Sequence, residues 1–465
     1  MIPKTGKPIA GSRHARRRES VTAQSGLLLA LIVCVGAPQL SAQVNCSTSK
    51  ELICEFPVSA ASLASVTVGA GAGNSGVNPG AYAAATNIAF PINEAFAAQL
   101  TQLPVPSASV GVVSLRQPGS EVGVPFDNLG PILTDRPDTV GKGHFFLGGS
   151  YQHFRFNAIS GTSLGALPVA FSYAQPSPFN SSDQQTVYGG LSNNASFSLD
   201  QYVGLLTFGV SKLTDISIIV PINSVSVSVA SSNIQAYVYD SAKNQYSSVP
   251  PLVTSLSTAG TAQGVGDITI NVKQLIAGQE GERLAVSAGG NVRTPTGDAG
   301  NYLGSGAVGG QVYGLVEYRY KVAPHLKAGY EWNGVSRGLT YQGYSKVRLP
   351  NGLQYDIGSD FRLARTLTAD VDLLGSQFVN GSTVTPAQLR LTPSPSSTTT
   401  TTTNIPSFIS TVNTPLHTYT TANFSFGAKW SPHPGYLIYF NLLKNVNAVG
   451  LRSNVVPLVG IAYHR

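Results

Sequence analysis

QVYGLVEYRYKVAPHLKAGYEWNG, residues 311–334, alternates apolar and polar side chains over nearly its whole length. Val312, Gly314, Val316, Tyr318 and Tyr320 share one face, with Gln311, Glu317 and Arg319 on the other. Past a turn expected at Val322-Ala323-Pro324, Leu326, Ala328, Tyr330 and Trp332 face one way. Lys327, Glu331 and Asn333 face the other. A period of two belongs to a β-strand, and two such runs about a short turn predict a hairpin. Its apolar face has two possible destinations. In a soluble sandwich it is the core; in a membrane barrel it meets lipid and the charges line the interior.

Composition favours the barrel. Only 11% of the 465 residues are charged, against roughly 25% in soluble proteins. Gly (49), Tyr (20) and Phe (18) fill the place of the missing charge. Beyond the N-terminus no run reaches the ~18 apolar residues of a transmembrane helix. The N-terminus itself reads as a secretory signal peptide over residues 1–42: Arg13, Arg16, Arg17 and Arg18 precede an apolar Leu27–Val35, and Ser41-Ala42 offers small residues for cleavage. That leader holds six of the 29 basic and one of the 22 acidic residues, so the remainder is near +2 and nothing suggests nucleic acid as a partner. Cys34 leaves with it. Cys46 and Cys54 remain, and in an exported chain they are expected to form a disulfide.

Residues 43–142 alternate poorly and predict a mostly irregular periplasmic or lumen-plugging segment. Its one expected helix is INEAFAAQLTQL (92–103), where Ile92, Phe96, Leu100 and Leu103 form a stripe. From 143 to 465 the pattern predicts a transmembrane antiparallel β-barrel of about 12 strands, an all-β fold. The strands are expected near 143–158, 197–211, 215–230, 264–277, 282–296, 306–321, 325–338, 352–364, 367–380, 417–431, 435–447 and 452–465. The intervening connections alternate between long and short, as external loops and periplasmic turns do in outer-membrane barrels. A soluble sandwich has no cause to keep that parity. It places the chain in the outer membrane with both mature termini in the periplasm. The tract PSPSSTTTTTTN (393–404) reads as the tip of an external loop.

With the apolar faces outward, the expected lumen wall comprises Asp267, Lys273, Arg283, Arg293, Glu317, Arg319, Lys327, Glu331, Asp356, Asp360, Arg362, Asp370, Asp372 and Lys429. Such mixed charge suits either a ladder of cross-strand pairs, Glu317 with Lys327 for example, or a constriction that selects solutes. Tyr318, Tyr320, Trp332, Tyr355, Trp430, Tyr436, Tyr439 and Tyr463 are candidates for interfacial aromatic girdles, with the inward face as the alternative for some: Tyr439 shares a face with Asn441.

GVGDITINVK (264–273), NVRTPTGDAGNYLGSG (291–306) and GPILTDRPDTVGKGHFFLGGSYQ (130–152) resemble stretches of the phenol-degradation MetA-like transporter group of the FadL-like superfamily. The resemblance spans about 130–465 and implies an outer-membrane barrel that passes hydrophobic or aromatic small molecules.

Motifs for other chemistry lack their setting. GAGNSG (71–76) fits a dinucleotide loop but Pro79 follows where a helix should be established, and GTSLG (161–165) falls in an expected loop. His144, His153, His325, His417, His433 and His464 are scattered near strand ends, with no metal-binding spacing. No cofactor, metal or catalytic role is expected. The function expected is passive diffusion of a small-molecule solute, with outer-membrane lipids and the barrel assembly machinery as partners. A closed structural or surface-binding barrel is the alternative, and a lipolytic enzyme a more distant one.

Overall fold

The structure, a computed structural model, describes residues 46, 50–71, 78–100, 103–104, 107, 129–176, 184–250, 253–278, 282–336, 347–393 and 405–464. The expected leader and the threonine run lie outside these residues. In chain order the described strands are β1 (Phe145–Ile159), β2 (Thr162–Ser163), β3 (Leu167–Pro176), β4 (Gln184–Gly209), β5 (Thr214–Asp240), β6 (Gln245–Val249) and β7 (Ser255–Val265). Next come β8 (Thr269–Ala277), β9 (Leu284–Arg293), β10 (Gly309–Tyr318), β11 (Val322–Asn333), β12 (Asn351–Ala364) and β13 (Leu367–Ser382). The last are β14 (Thr385–Arg390), β15 (Phe408–Asn413), β16 (Leu416–Trp430), β17 (Tyr436–Asn445), β18 (Leu451–Ser453) and β19 (Val455–His464).

Twelve of these close a ring. The antiparallel pairings run β1–β4–β5–β8–β9–β10–β11 and on through β12–β13–β16–β17–β19. The circuit is completed where β19 pairs with β1, Phe146 opposite His464. All twelve overlap the strands expected from the alternation. The short connections gather at one end of the barrel and the long ones at the other. The opening hairpin turns earlier than expected, at residues 319–321, and Glu317 faces His325 in register. Pro324 lies inside β11 opposite Ser359.

The outer face carries an apolar belt. Leu206, Phe208, Ile218, Val312, Val316, Leu326, Tyr330 and Ile357 all point out and are exposed, while Gln311, Glu317, Lys429 and Asn441 on the opposite faces are buried. An exposed, continuous apolar band around a closed barrel is a lipid-facing surface. Tyr318, Tyr320, Trp430 and Tyr436 stand exposed toward the short-turn end. Tyr439, on the same face as Asn441, is buried inside, its hydroxyl 3.4 Å from the Gly149 carbonyl.

Above the belt the polarity reverses. On β5, Ser224, Ser226 and Ser228 turn outward while Val225, Val227 and Val229 turn in and are buried. β4 does likewise, with Phe197 and Leu199 inside and Ser196 outside. β3, β6 and β7 pair onto these two long strands. What the sequence suggested were long loops at 159–196 and 231–263 are therefore largely an extension of the wall, polar outside and apolar within.

That apolar lining receives two helices, α1 (Glu55–Gly71) and α2 (Pro79–Leu100). Asn78 caps α2 by accepting the Ala81 N–H at 3.0 Å, and Pro79 suits the first helical position. Only the last part of α2 was expected, and α1 not at all. Ala60, Ala61 and Ala64 of α1 and Ala81, Ala85 and Ala89 of α2 are fully buried, so no single apolar stripe marks either helix. The segment is thus more helical than its composition suggested. Ser59 of α1 meets Ser231 of β5 at 2.8 Å between hydroxyls.

Candidate functional site

The barrel interior divides into three levels: the helix-filled mouth at the long-connection end, a cavity beneath it, and a charged floor toward the short turns. The floor forms where residues 129–140 lie against the inward faces. Arg136, fully buried, reaches Glu317 at 3.0 Å and Asp138 at 3.2 Å. Burial alone would lower its pKa, but Glu317, Asp138 and Asp360 hold it above the ordinary arginine value. Arg319 pairs with Asp138 and donates to the Gly278 carbonyl at 2.7 Å. Lys273 donates to the Arg136 carbonyl at 2.8 Å, and Lys429 to the carbonyls of Leu129 and Pro131. His325 stands buried, 2.8 Å from Asp372 and 3.7 Å from Asp360. Asp370 accepts from Asn441 at 3.5 Å.

The cavity above this floor has a volume of about 280 Å³. One flank is apolar, with Leu100 and Leu103 from the N-terminal segment, Leu133 from the floor, Leu199 of β4 and Leu303 of the 294–308 connection. The other is a ladder of amides and charges. Asn291 donates to Gln311 at 3.1 Å, and Gln311 to Gln354 at 2.7 Å. Gln354 in turn donates to Glu331, and Arg293 reaches Glu331 at 3.3 Å. Three of these residues, Asn291, Gln311 and Glu331, are directly paired across β9, β10 and β11. Across the cavity Gln201 donates to Asn223 at 3.0 Å, and Asn223 to the Leu303 carbonyl at 2.9 Å. Such ladders arise because inward positions directly opposite one another on neighbouring strands are within side-chain reach.

The three stretches that resembled one family come together in space only in part. Asp267 of GVGD accepts the N–H groups of Gly297, at 3.0 Å, and Ser305, at 2.7 Å. Thr296 donates to the Gly266 carbonyl at 2.7 Å, so the 264–273 and 291–306 stretches form one knot at the top of β8 and β9. Gly300 and Asn301 of the knot then receive the N–H groups of Ile53 and Leu52 at 3.0 and 3.1 Å. The third stretch supplies the floor.

Of the expected wall residues, Asp267, Arg293, Lys327, Glu331 and Asp356 line the cavity. Lys273, Glu317, Arg319, Asp360, Asp370, Asp372 and Lys429 are buried in or around the floor. Arg362 faces inward near the short turns, half-buried. Arg283 is elsewhere: it is exposed at the rim, 3.2 Å from the Tyr318 hydroxyl and over the Tyr320 ring. It belongs to the turn after β8, where alternation no longer assigns a face. The suggested Glu317–Lys327 pair is replaced: Glu317 holds Arg136, and Lys327 lies 3.6 Å from Asp135. Cys46 and Cys54 are joined in a disulfide. Ser163 of GTSLG accepts from Gly165 N–H at 3.2 Å and caps a short turn; most of GAGNSG lies outside the described residues.

Sequence reasoning missed Asp135, Arg136 and Asp138, which sit in a stretch without periodicity and find barrel partners 181 to 192 residues away. His325 carried a usable signal. It shares the inward parity of Lys327 and Glu331, hidden by placing the turn too late.

No family model matches this chain, and no curated protein does. Among solved structures it is similar to an outer membrane channel from Pseudomonas putida F1, at 11% identity over 71% of this chain and 100% of that one, TM-score 0.41. A FadL homologue of Pseudomonas aeruginosa matches at 8% identity over 69% and 89% of the two chains, TM-score 0.25. The CymD monoaromatic hydrocarbon channel matches at 8% over 70% and 88%, TM-score 0.28. Likeness of this degree carries no argument about what the chain does.

Proposed function

We propose that this protein is an outer-membrane channel through which small, hydrophobic or aromatic molecules diffuse passively. The observation that carries the proposal is a cavity of about 280 Å³ enclosed by a closed barrel with an apolar outer belt. An interior lined by hydrogen-bonding groups on one flank and leucines on the other suits transient contact with a small solute. We assign residues 1–42 to a leader, 43–142 to the plug and 143–465 to the barrel. The short-turn end, where β19 finishes, faces the periplasm; Leu52 and Ile53 bond at the opposite mouth, away from the periplasmic side expected for the mature N-terminus. The partners are outer-membrane lipids, the solute and, during biogenesis, the barrel assembly machinery. No catalysis is assigned.

The helices at one end and the ion-paired floor at the other favour a second possibility, a closed barrel that binds molecules at its surface. Planar-bilayer recordings with the purified mature chain separate the two. Discrete openings are expected for the channel; a protein that inserts, shows heat-modifiable migration and never opens is the closed barrel.

A further inference from the structure

The cavity is unevenly charged. Asp135, Asp267, Glu331 and Asp356 line it, against Arg293 and Lys327. Three of the four carboxylates are occupied. Asp267 accepts two backbone N–H groups, Glu331 holds Gln354 and Arg293, and Asp135 takes Ser107 and Lys327. Lys327 is shared: its ammonium sits 3.6 Å from Asp135 and 4.9 Å from the centre of the Tyr313 ring, and it acts on its strand neighbour Asp356 only from beyond 4 Å. Asp356, directly opposite Lys327 in register and half-buried on the cavity wall, has neither a hydrogen bond nor an ion pair within 4 Å among the described residues. On its other side, across β13, its register partner is Leu374, which lines the same cavity.

A carboxylate inside a protein is costly without a compensating donor or cation. Here the surplus negative charge, the unpartnered oxygens and the leucine flank occur in one space. We propose that the cavity is a binding site for a small organic cation with an apolar body, its ammonium held at Asp356 and its body against Leu374, Leu133 and Leu103. The proposal rests on the channel reading only in taking the cavity as reachable from solution. It narrows the solute to one class: an aromatic or aliphatic amine is accepted, and a carboxylate of the same shape is repelled.

The test uses the mature chain in zwitterionic detergent, with titration calorimetry against benzylammonium, benzyl alcohol and benzoate and detergent-only blanks. A hydrogen bond to a charged group is worth about 1.5–3 kcal/mol, roughly ten- to a hundredfold in affinity. Benzylammonium is therefore expected to bind at least about tenfold more tightly than benzoate, with benzyl alcohol between them. Asp356→Asn should bring benzylammonium close to the alcohol, while Asp356→Glu should retain the preference. Equal or tighter binding of benzoate overturns the proposal, as does an unchanged preference in D356N. If D356N fails to show heat-modifiable migration, the wild-type ranking decides alone. A chain that ranks the probes as expected but never conducts refutes the channel and keeps the site; one that conducts yet prefers benzoate does the reverse.

Discussion

β5 passes through both regions of the molecule and makes the comparison within one strand. In its first part Ile216, Ile218 and Ile222 face out while Asp215 and Ser217 face in. A few residues on, Ser226 and Ser228 face out, and Val227 and Val229 face in. The period is the same and its sign is opposite. Period tells that a segment is a strand; sign tells which solvent lies outside it. The N-terminal segment follows the change. Where the wall is apolar inside, it is held by packed alanines, leucines and phenylalanines; where the wall is polar inside, it is held by ion pairs and lysine-to-carbonyl bonds.

The largest effects should come from each region's own anchor. Phe197 packs in the upper interior against Phe156, Phe96 of α2 and Tyr302, with ring centroids 5.5, 6.3 and 5.2 Å away. Phe197→Ala should cost about 3–5 kcal/mol, read by urea unfolding in liposomes, and should expose α2 to protease before the floor. Glu317→Gln leaves Arg136 buried with a weaker partner. Breaking such a pair costs about 3–5 kcal/mol, lessened here by Asp138, and limited proteolysis should now cut near residues 129–140 first. If both variants release the same segment, the two-anchor distinction fails.

The outer faces give the sharper contrast. Val316→Arg puts a charge in the lipid-facing belt and should cost about 2–4 kcal/mol in liposome unfolding. Ser226→Lys, also outward on a strand, lies above the proposed boundary and should change stability by no more than about 0.5 kcal/mol. A large penalty at Ser226 would move the membrane boundary upward and remove the comparison.

How much of this was legible follows from the physics of each part. Strand parity exposed the twelve wall strands and the inward set except Arg283, which lies in a turn, because lipid permits few exceptions. Val225 and Val227 gave the same alternation as the belt, so the sign reversal could not be told from continued membrane wall by period alone. α1 and the first turns of α2 were obscured by their many alanines, whose burial depends on a surrounding wall no local window contains. For the site, alternation assigned Lys327, Glu331 and Asp356 to the interior. It could not reveal that Asp135 would draw Lys327 from Asp356, since that choice depends on a segment distant in sequence.

The closure of β19 on β1 also constrains biogenesis. Leu52 is bonded at the long-connection mouth and Thr139 donates to the Lys212 carbonyl in a short turn, so the stretch ahead of the first wall strand is engaged at opposite openings of a ring sealed by β19, made after the other eleven wall strands. Two bulky helices cannot easily be drawn through a finished hoop. The economical order of events is that the early part of the chain waits in an unsealed, curling sheet, and the final seam shuts around it. Slowing that seam, rather than weakening any contact along the interior, would then be the way to obtain an empty barrel.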